Sequence, residues 1–309
     1  MRNVVFAYHD IGIACLEELW AGEDDVALVV THADRHGENV WWRSVRELAE
    51  RRAVPVVVDP DLHAPDFAAQ LSALAPDFVF SFMFRQLLPP ELLAIPLRGA
   101  LNLHPSALPK YRGRSPINWV LVNGERETGV TLHHMVEKAD RGDIVAQRTF
   151  PIAEEDTALT LHRRAVDEAR ILFHETYPLL RAGRAPRVPQ DSGEASYFGG
   201  RRPEDGAIDW RWSARRIYDL VRAVTHPYPG AFTIHARRRL FVWWARPEEY
   251  RLDLEPGALE VASDAVRVGT GRGALRLERV QAEGDSERDA RDWALAAAVR
   301  PRDYLELHR

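Results

Sequence analysis

The chain has 309 residues, 46% of them hydrophobic, and a formal net charge of −5. That length supports two domains with a core each, and the charge excludes the strongly basic surface of a nucleic-acid binder. The one cysteine, Cys15, excludes an intramolecular disulfide and a cysteine-based zinc site.

A lone cysteine also fits a reducing cytoplasmic compartment. Residues 201–309 carry 20 arginines against 18 acidic residues, a net of +2, so the excess negative charge lies in residues 1–200. Lys110 and Lys138 are the only lysines. The N-terminus reads as a first strand, not as a signal peptide, and no apolar run approaches a membrane span.

Asn3 is followed by a continuously apolar run to Ala7, and residues 3–7 predict a buried first strand. A helix is expected over 11–21. The turn between them lacks the Gly-x-Gly-x-x-Gly of a dinucleotide site. Strands follow at Val26–Thr31 and Val54–Val58, with helical spacing over Arg43–Arg52. Trp41 and Trp42 either stack on a ligand or serve as a surface anchor and a core residue. A helix at Phe67–Ala75 and a strand at Asp77–Phe82 come next. Strands alternating with helices argue for a mostly parallel sheet.

In Leu101-Asn102-Leu103-His104 the apolar and polar residues alternate, so a strand puts Asn102 and His104 on one face. Pro105 ends that strand. An amide donor and a titratable imidazole therefore share a strand's carboxyl end, where open parallel sheets bind ligands. The proline-rich loop that follows carries Lys110, Arg112 and Arg114 and is expected to turn these cations toward the site. Ser115–Asn123 reads as a helix with Ser115 as N-cap and Pro116 first. Thr128–Met135 alternates like a strand, and Asp140, Gly142 and Asp143 read as a turn.

Thr157–Arg181 is a long helix, and Gly183–Gly193 reads as a linker. A second domain is expected from Tyr197, with a helix at Ser213–Val224. Short strands at Phe232–His235, Leu240–Ala245, Ala265–Val268 and Ala274–Val280 suit a small β-barrel, and Arg288–Ala298 a closing helix.

Asn102-x-His104 ahead of Leu108-Pro109-Lys110-Tyr111-Arg112-Gly113 resembles the signature of the folate-dependent formyltransferases. That family includes methionyl-tRNA, glycinamide ribonucleotide and nucleotide-sugar formyltransferases. Phe6–Asp10, the run from Asn118 to Glu125, Phe198–Trp210 and Arg222–Phe232 resemble the branch that acts on UDP-4-amino-4-deoxy-L-arabinose. That branch serves lipid A modification and polymyxin resistance. The resemblance implies an α/β fold: a Rossmann-like, mostly parallel sheet with helices on both faces (residues 1–196), then a small OB-like β-barrel domain (residues 197–309).

It also implies a reaction, transfer of formyl from 10-formyltetrahydrofolate to an amine, with no metal. Asn102, His104 and Asp140 match the family's catalytic residues. The amide donates to the oxyanion, the imidazole takes the amine proton, and the carboxylate stabilises the charged ring. Gln86, Leu87, Leu88, Arg114 and Val136, Glu137, Lys138, Ala139 and Asp140 match its folate-binding positions. On the sugar side, Tyr8 either lines the site or packs at a strand end. Arg201 and Arg202 are candidates for a diphosphate.

Two departures stand out. Pro105 and Ala107 replace a glycine and a leucine of the sugar enzyme, and His-Pro-Ser is similar to the glycinamide ribonucleotide branch. The decarboxylase to which the sugar enzyme is usually fused has no counterpart here. The expected partners are thus folate and a sugar nucleotide, with a homo-oligomer and a separate decarboxylase or dehydrogenase of the same pathway also open. Methionyl-tRNA formyltransferase, another amino sugar or natural-product amine as acceptor, and a non-catalytic folate or sugar-nucleotide sensor remain as alternatives. The near-balanced charge of the second half argues against tRNA, and the three intact catalytic matches argue against a sensor.

Overall fold

A computed structural model describes residues 1–248, 254–300 and 303–306. The chain forms two compact units. The first comprises Met1–Pro116, Glu127–Pro151 and His162–Gly199; the second comprises Ile117–Arg126, Ile152–Leu161 and Gly200–Arg309.

In chain order the first unit begins with β1 (Arg2–Ala7), α1 (His9–Ala21), β2 (Asp25–Thr31), α2 (Val45–Arg51) and β3 (Val56–Val58). It continues with α3 (Pro65–Ala73), β4 (Phe78–Phe82), α4 (Pro90–Leu93), β5 (Ala100–His104) and β6 (Arg112–Gly113). Next along the chain come α5 (Pro116–Val122), β7 (Glu127–His134), β8 (Ile144–Pro151), α6 (Ala158–Arg181) and β9 (Tyr197–Phe198). Seven strands form one sheet in the order β3-β2-β1-β4-β5-β7-β8. The first five run parallel; β7 and β8 add antiparallel. The mostly parallel sheet read from the sequence is therefore what forms.

The strand composition explains the core. Val4, Val5, Phe6 and Ala7 are fully buried, as is the Phe80 and Phe82 pair of β4. A strand covered on both faces needs this unbroken apolar run rather than alternation. Phe6, Val30, Val79, Leu88 and Leu92 share one core cluster.

Several expected boundaries shift. The first helix starts at His9, and α4 was not anticipated. The segment read as a linker is pinned instead: Val188 and Ile144 exchange backbone hydrogen bonds at 2.7 and 2.9 Å. Its prolines and small residues suit an extended run held by backbone pairing, and composition does not distinguish that from a free tether.

The second unit contains α7 (Ala214–Val224), capped by the Ser213 side chain, and an antiparallel sheet. The sheet has β10 (Ala231–His235), β11 (Arg238–Glu248), β12 (Leu259–Val261), β13 (Val266–Gly269), β14 (Ala274–Ala282) and β15 (Arg288–Asp289), followed by α8 (Ala290–Ala296). Its path is β10-β11-β14-β13-β12. Tyr304 bridges to Ala258 and Glu306 to Ile234, so the last described residues join the two ends of that path. That closes the small antiparallel domain read from the short strands. The closing helix is shorter than expected because Arg288–Asp289 pair with β14 before Asp289 caps it.

Candidate active site

Register builds the site. β5 pairs antiparallel with β7, placing Asn102 opposite His133 and His104 opposite Thr131. Directly opposed residues on one face are close enough for side-chain contact, and Asn102 Nδ2 lies 3.1 Å from His133 Nε2. His133 Nδ1 lies 2.8 Å from the His134 carbonyl. A carbonyl only accepts, so Nδ1 carries the proton and Nε2 accepts from the Asn102 amide.

His104 is 5% exposed at the end of β5. Its Nε2 lies 2.8 Å from the Tyr111 carbonyl and so carries a proton. Its Nδ1 faces Asp140 Oδ1 at 3.6 Å, and the same oxygen is 3.5 Å from His133 Nε2. The other Asp140 oxygen accepts from the Gly113 amide at 2.8 Å. One carboxylate thus faces two imidazoles and a backbone N–H. Burial pushes its titration upward, but positive charge on the His104 ring, together with the Gly113 amide, outweighs that and holds it well below the usual carboxylate range.

The loop from Pro105 to Tyr111 is locked rather than mobile. Thr131 Oγ1 donates to the Ser106 carbonyl at 2.7 Å and accepts from the Leu108 amide at 3.2 Å. Gln147 Nε2 donates to the Leu108 carbonyl at 2.8 Å, and Ser106 Oγ to that of Lys110 at 2.8 Å. Gly113 has φ +96°, and a Cβ there would run into the Phe198 carbonyl of the β6–β9 pair. Only glycine allows that approach.

The structure brings Asn102, His104 and Asp140 together. It also adds two residues that the sequence did not single out. His133 was hidden among the alternating residues of β7. Gln190 lay in the presumed linker; its side-chain amide donates to the Asp140 and Gly142 carbonyls at 2.9 and 2.7 Å. Its oxygen accepts from Arg112 at 3.1 and 2.6 Å. This corrects the expectation for Arg112, which is buried and bonded to Gln190 instead of facing a ligand; burial also lowers its pKa. Lys110 and Arg114 are exposed.

The remaining candidates sit as follows. Gln86 and Leu87 are exposed, Leu87 by 67%, while Leu88 is a core residue. Val136 is 45% exposed, Glu137 and Lys138 are exposed and Ala139 is half-buried. Tyr8 is buried; its hydroxyl donates to Asp34 at 2.5 Å beneath the Arg85 guanidinium. In the second unit Arg201 lies 4.6 Å over the Trp119 ring and donates to the Asp205 carbonyl, while Arg202 is exposed.

This arrangement suits acyl transfer. It holds a fixed amide donor, a ring nitrogen able to accept a proton, and a carboxylate beside that nitrogen to stabilise the resulting charge.

A formyl transferase family model matches residues 10–177, and a model of the formyl transferase C-terminal domain matches residues 201–297. The chain belongs to the formyl transferase family. Among solved structures, it is similar to HypX from Aquifex aeolicus in complex with tetrahydrofolic acid (TM-score 0.65, 20% identity). The match covers 100% of this chain and 51% of HypX, so the chain spans about half that protein's length. It is also similar to an N-formyltransferase from Helicobacter canadensis in complex with folinic acid and dTDP-3-aminofucose. Here the TM-score is 0.68 at 19% identity, with 89% of this chain and 98% of that one covered. A third is WlaRD, a sugar 3N-formyl transferase crystallised with dTDP and 5-N-formyl-tetrahydrofolate (TM-score 0.70, 19% identity, covering 93% and 99%).

Proposed function

We propose that this formyltransferase moves the formyl group of 10-formyltetrahydrofolate to the amine of a nucleotide-linked amino sugar, UDP-4-amino-4-deoxy-L-arabinose foremost. The carrying observation is the assembly of Asn102, His104 and Asp140 on one sheet face. The acceptor amine attacks the formyl carbon while the Asn102 amide donates to the developing oxyanion. The amine proton passes to His104 Nδ1, beside Asp140 Oδ1. The bond from carbon to N10 breaks, N10 is protonated, and tetrahydrofolate leaves with the formamide formed. Residues 1–196 act as the catalytic, folate-binding domain and 197–309 as the OB-like domain.

The donor surface fits a flat, partly apolar ring. Leu87 and Val136 are large apolar side chains left exposed at two folate-matching positions, where an apolar ligand face would cover them. Gln86, Leu88 and Glu137 to Asp140 complete that set, and Arg114 is available for the donor's glutamate carboxylates. On the acceptor side, Tyr8, Arg201 and Arg202 are the candidates. Two structural neighbours whose names specify sugar or dTDP-sugar ligands support the nucleotide-sugar class. A cytoplasmic enzyme whose acceptor is supplied by a decarboxylase or dehydrogenase of the same pathway fits this reading.

The test is purified protein with 10-formyltetrahydrofolate and UDP-4-amino-4-deoxy-L-arabinose, with tetrahydrofolate release and product mass followed together. Formylated sugar, absent with His104→Ala, is expected. Turnover with dTDP-linked amino sugars alone would move the acceptor within the class. Turnover with methionyl-tRNA alone, or none with any amine, would overturn the proposal.

A further inference from the structure

A second cluster of titratable groups lies apart from the catalytic residues. β1 has β2 on one side and β4 on the other, so strand order reverses about it. Crevices at such reversals bind ligands in open α/β sheets. At its carboxyl end His9 adopts φ +66°. That is an uncommon setting for a side chain other than glycine, and such outliers concentrate at functional sites.

His9 stacks on Trp42, with ring centroids 4.4 Å apart, and meets the His162 ring edge-on at 4.3 Å. The Asp10 amide donates to His9 Nδ1 at 3.0 Å, so that nitrogen presents a lone pair, 3.7 Å from Asp10 Oδ2. His162 Nε2 lies 4.0 Å from the same oxygen. The His162 side chain is 3% exposed, and its Nε2 is buried with no hydrogen-bond partner among the described residues. Asp10 Oδ1 is occupied by the Arg43 amide at 3.2 Å, which leaves Oδ2 toward the rings.

We propose that His9, Asp10 and His162 bind a divalent first-row transition-metal ion, zinc foremost, through two imidazole nitrogens and one carboxylate oxygen. The three ligand atoms lie within 4.8 Å of one another. Tetrahedral zinc with bonds of about 2.0–2.1 Å sets its ligand atoms about 3.3 Å apart, so small side-chain rotations close the site. Three protein ligands leave a fourth position for water. The ion would occupy the His162 nitrogen that otherwise stays buried and unpaired, which is costly. It would also replace the Asp10 amide at His9 Nδ1.

Arg163 and Arg85 add positive charge beside the rings and oppose a cation, and the Asp10 carboxylate supplies the compensating charge. The site shares no residue with the catalytic cluster, so the ion acts as a clip between the start of α1 and α6 and stands independently of the acceptor.

The full chain, freed of metal with a chelator and desalted, would be titrated with Co²⁺ by visible absorption and with Zn²⁺ by calorimetry. Binding of one equivalent is expected, with d–d bands typical of nitrogen and oxygen ligation and a rise in melting temperature. Affinity should fall at least tenfold in His162→Gln and in Asp10→Asn, and persist in His104→Ala. Because Asp10 is part-exposed, its variant decides the matter if His162→Gln fails to fold. No saturable binding, binding unchanged in Asp10→Asn, or binding lost in His104→Ala would each overturn the proposal. In the first case a buried water, or none, would account for the His162 nitrogen.

Discussion

His133 offers the sharpest test of how the sheet positions the chemistry. Its ring is 1% exposed and accepts the Asn102 amide at 3.1 Å. Phenylalanine preserves the ring's bulk but cannot accept. The Asn102 amide then loses its partner, worth about 0.5–1.5 kcal/mol for a neutral bond. The His134 carbonyl loses a donor worth the same again. Leaving the partly buried Asn102 donor without a partner costs about 1–3 kcal/mol. If that cost bears on the transition state, the loss is about 1.4–2.8 kcal/mol, which is ten- to a hundredfold in rate. His133→Phe should therefore show kcat reduced ten- to a hundredfold, with KM for 10-formyltetrahydrofolate nearly unchanged, in steady-state assays of tetrahydrofolate release. His133→Gln, which keeps an acceptor, should recover part of the loss. A kcat within threefold of wild type in a folded His133→Phe protein would refute the idea that this bond orients Asn102.

Removing the catalytic imidazole by His104→Ala should cost at least a hundredfold in kcat, while calorimetry still detects folate binding. Asp140 titrates lower in the folded chain than unfolded, so its contribution to stability is complete above the unfolded value of about 3.9 and is lost as pH falls below it. The stability gap between wild type and Asp140→Asn, from urea unfolding, should hold constant above about pH 5 and narrow toward pH 3; a gap that stays flat would contradict this. Gly113→Ala forces a Cβ onto the Phe198 carbonyl at φ +96° and shifts the amide that anchors Asp140. It should lower kcat about tenfold or more with the far-UV spectrum intact. Arg222 is 1% exposed and bonds Asp219 at 2.8 Å. Because Arg215 also holds Asp219, Arg222→Met should cost about 3 kcal/mol, the lower end for breaking a buried pair, measured as a fall in denaturant midpoint.

The Asn102 and His104 half of the site was legible because strand alternation fixes which residues share a face. The apolar runs of β1 and β4 were legible because a strand covered on both faces needs an apolar run, and the short strands of the second unit because apolar stretches are bounded by turn residues. Register is different. Nothing in the alternation of β7 says that His133, and not Thr131, falls opposite Asn102, because a two-residue slip preserves every face. The shared fate of Arg112 and Gln190 was equally hidden. The loop reads as turning Arg112 toward the site and the proline-rich run around Gln190 reads as a linker, and only their mutual contact makes both structural. His162 sits on a helix whose apolar spacing explained its neighbours and gave no reason to look at one buried nitrogen.

Asp140 shows most clearly what local sequence carries and what it omits. Its Oδ1 meets side chains from both β5 and β7, so the segment after β7 must fold back over the face that Asn102 and His104 share. That return needs two backbone settings. Asp140 takes φ +55°, which aspartate tolerates better than most side chains. At Gly142 a Cβ would collide with the His134 carbonyl, so no other residue fits. The pair Asp140-x-Gly142 therefore reads correctly as a turn, and a turn is what forms. The turn's chemistry comes from where its carboxylate points, and that is fixed by the Gly113 amide on Oδ2 and the Gln190 amide on the Asp140 carbonyl. Both anchors are remote in sequence, so a turn aspartate becomes a partner of His104 only once β5, β6 and the segment carrying Gln190 have met.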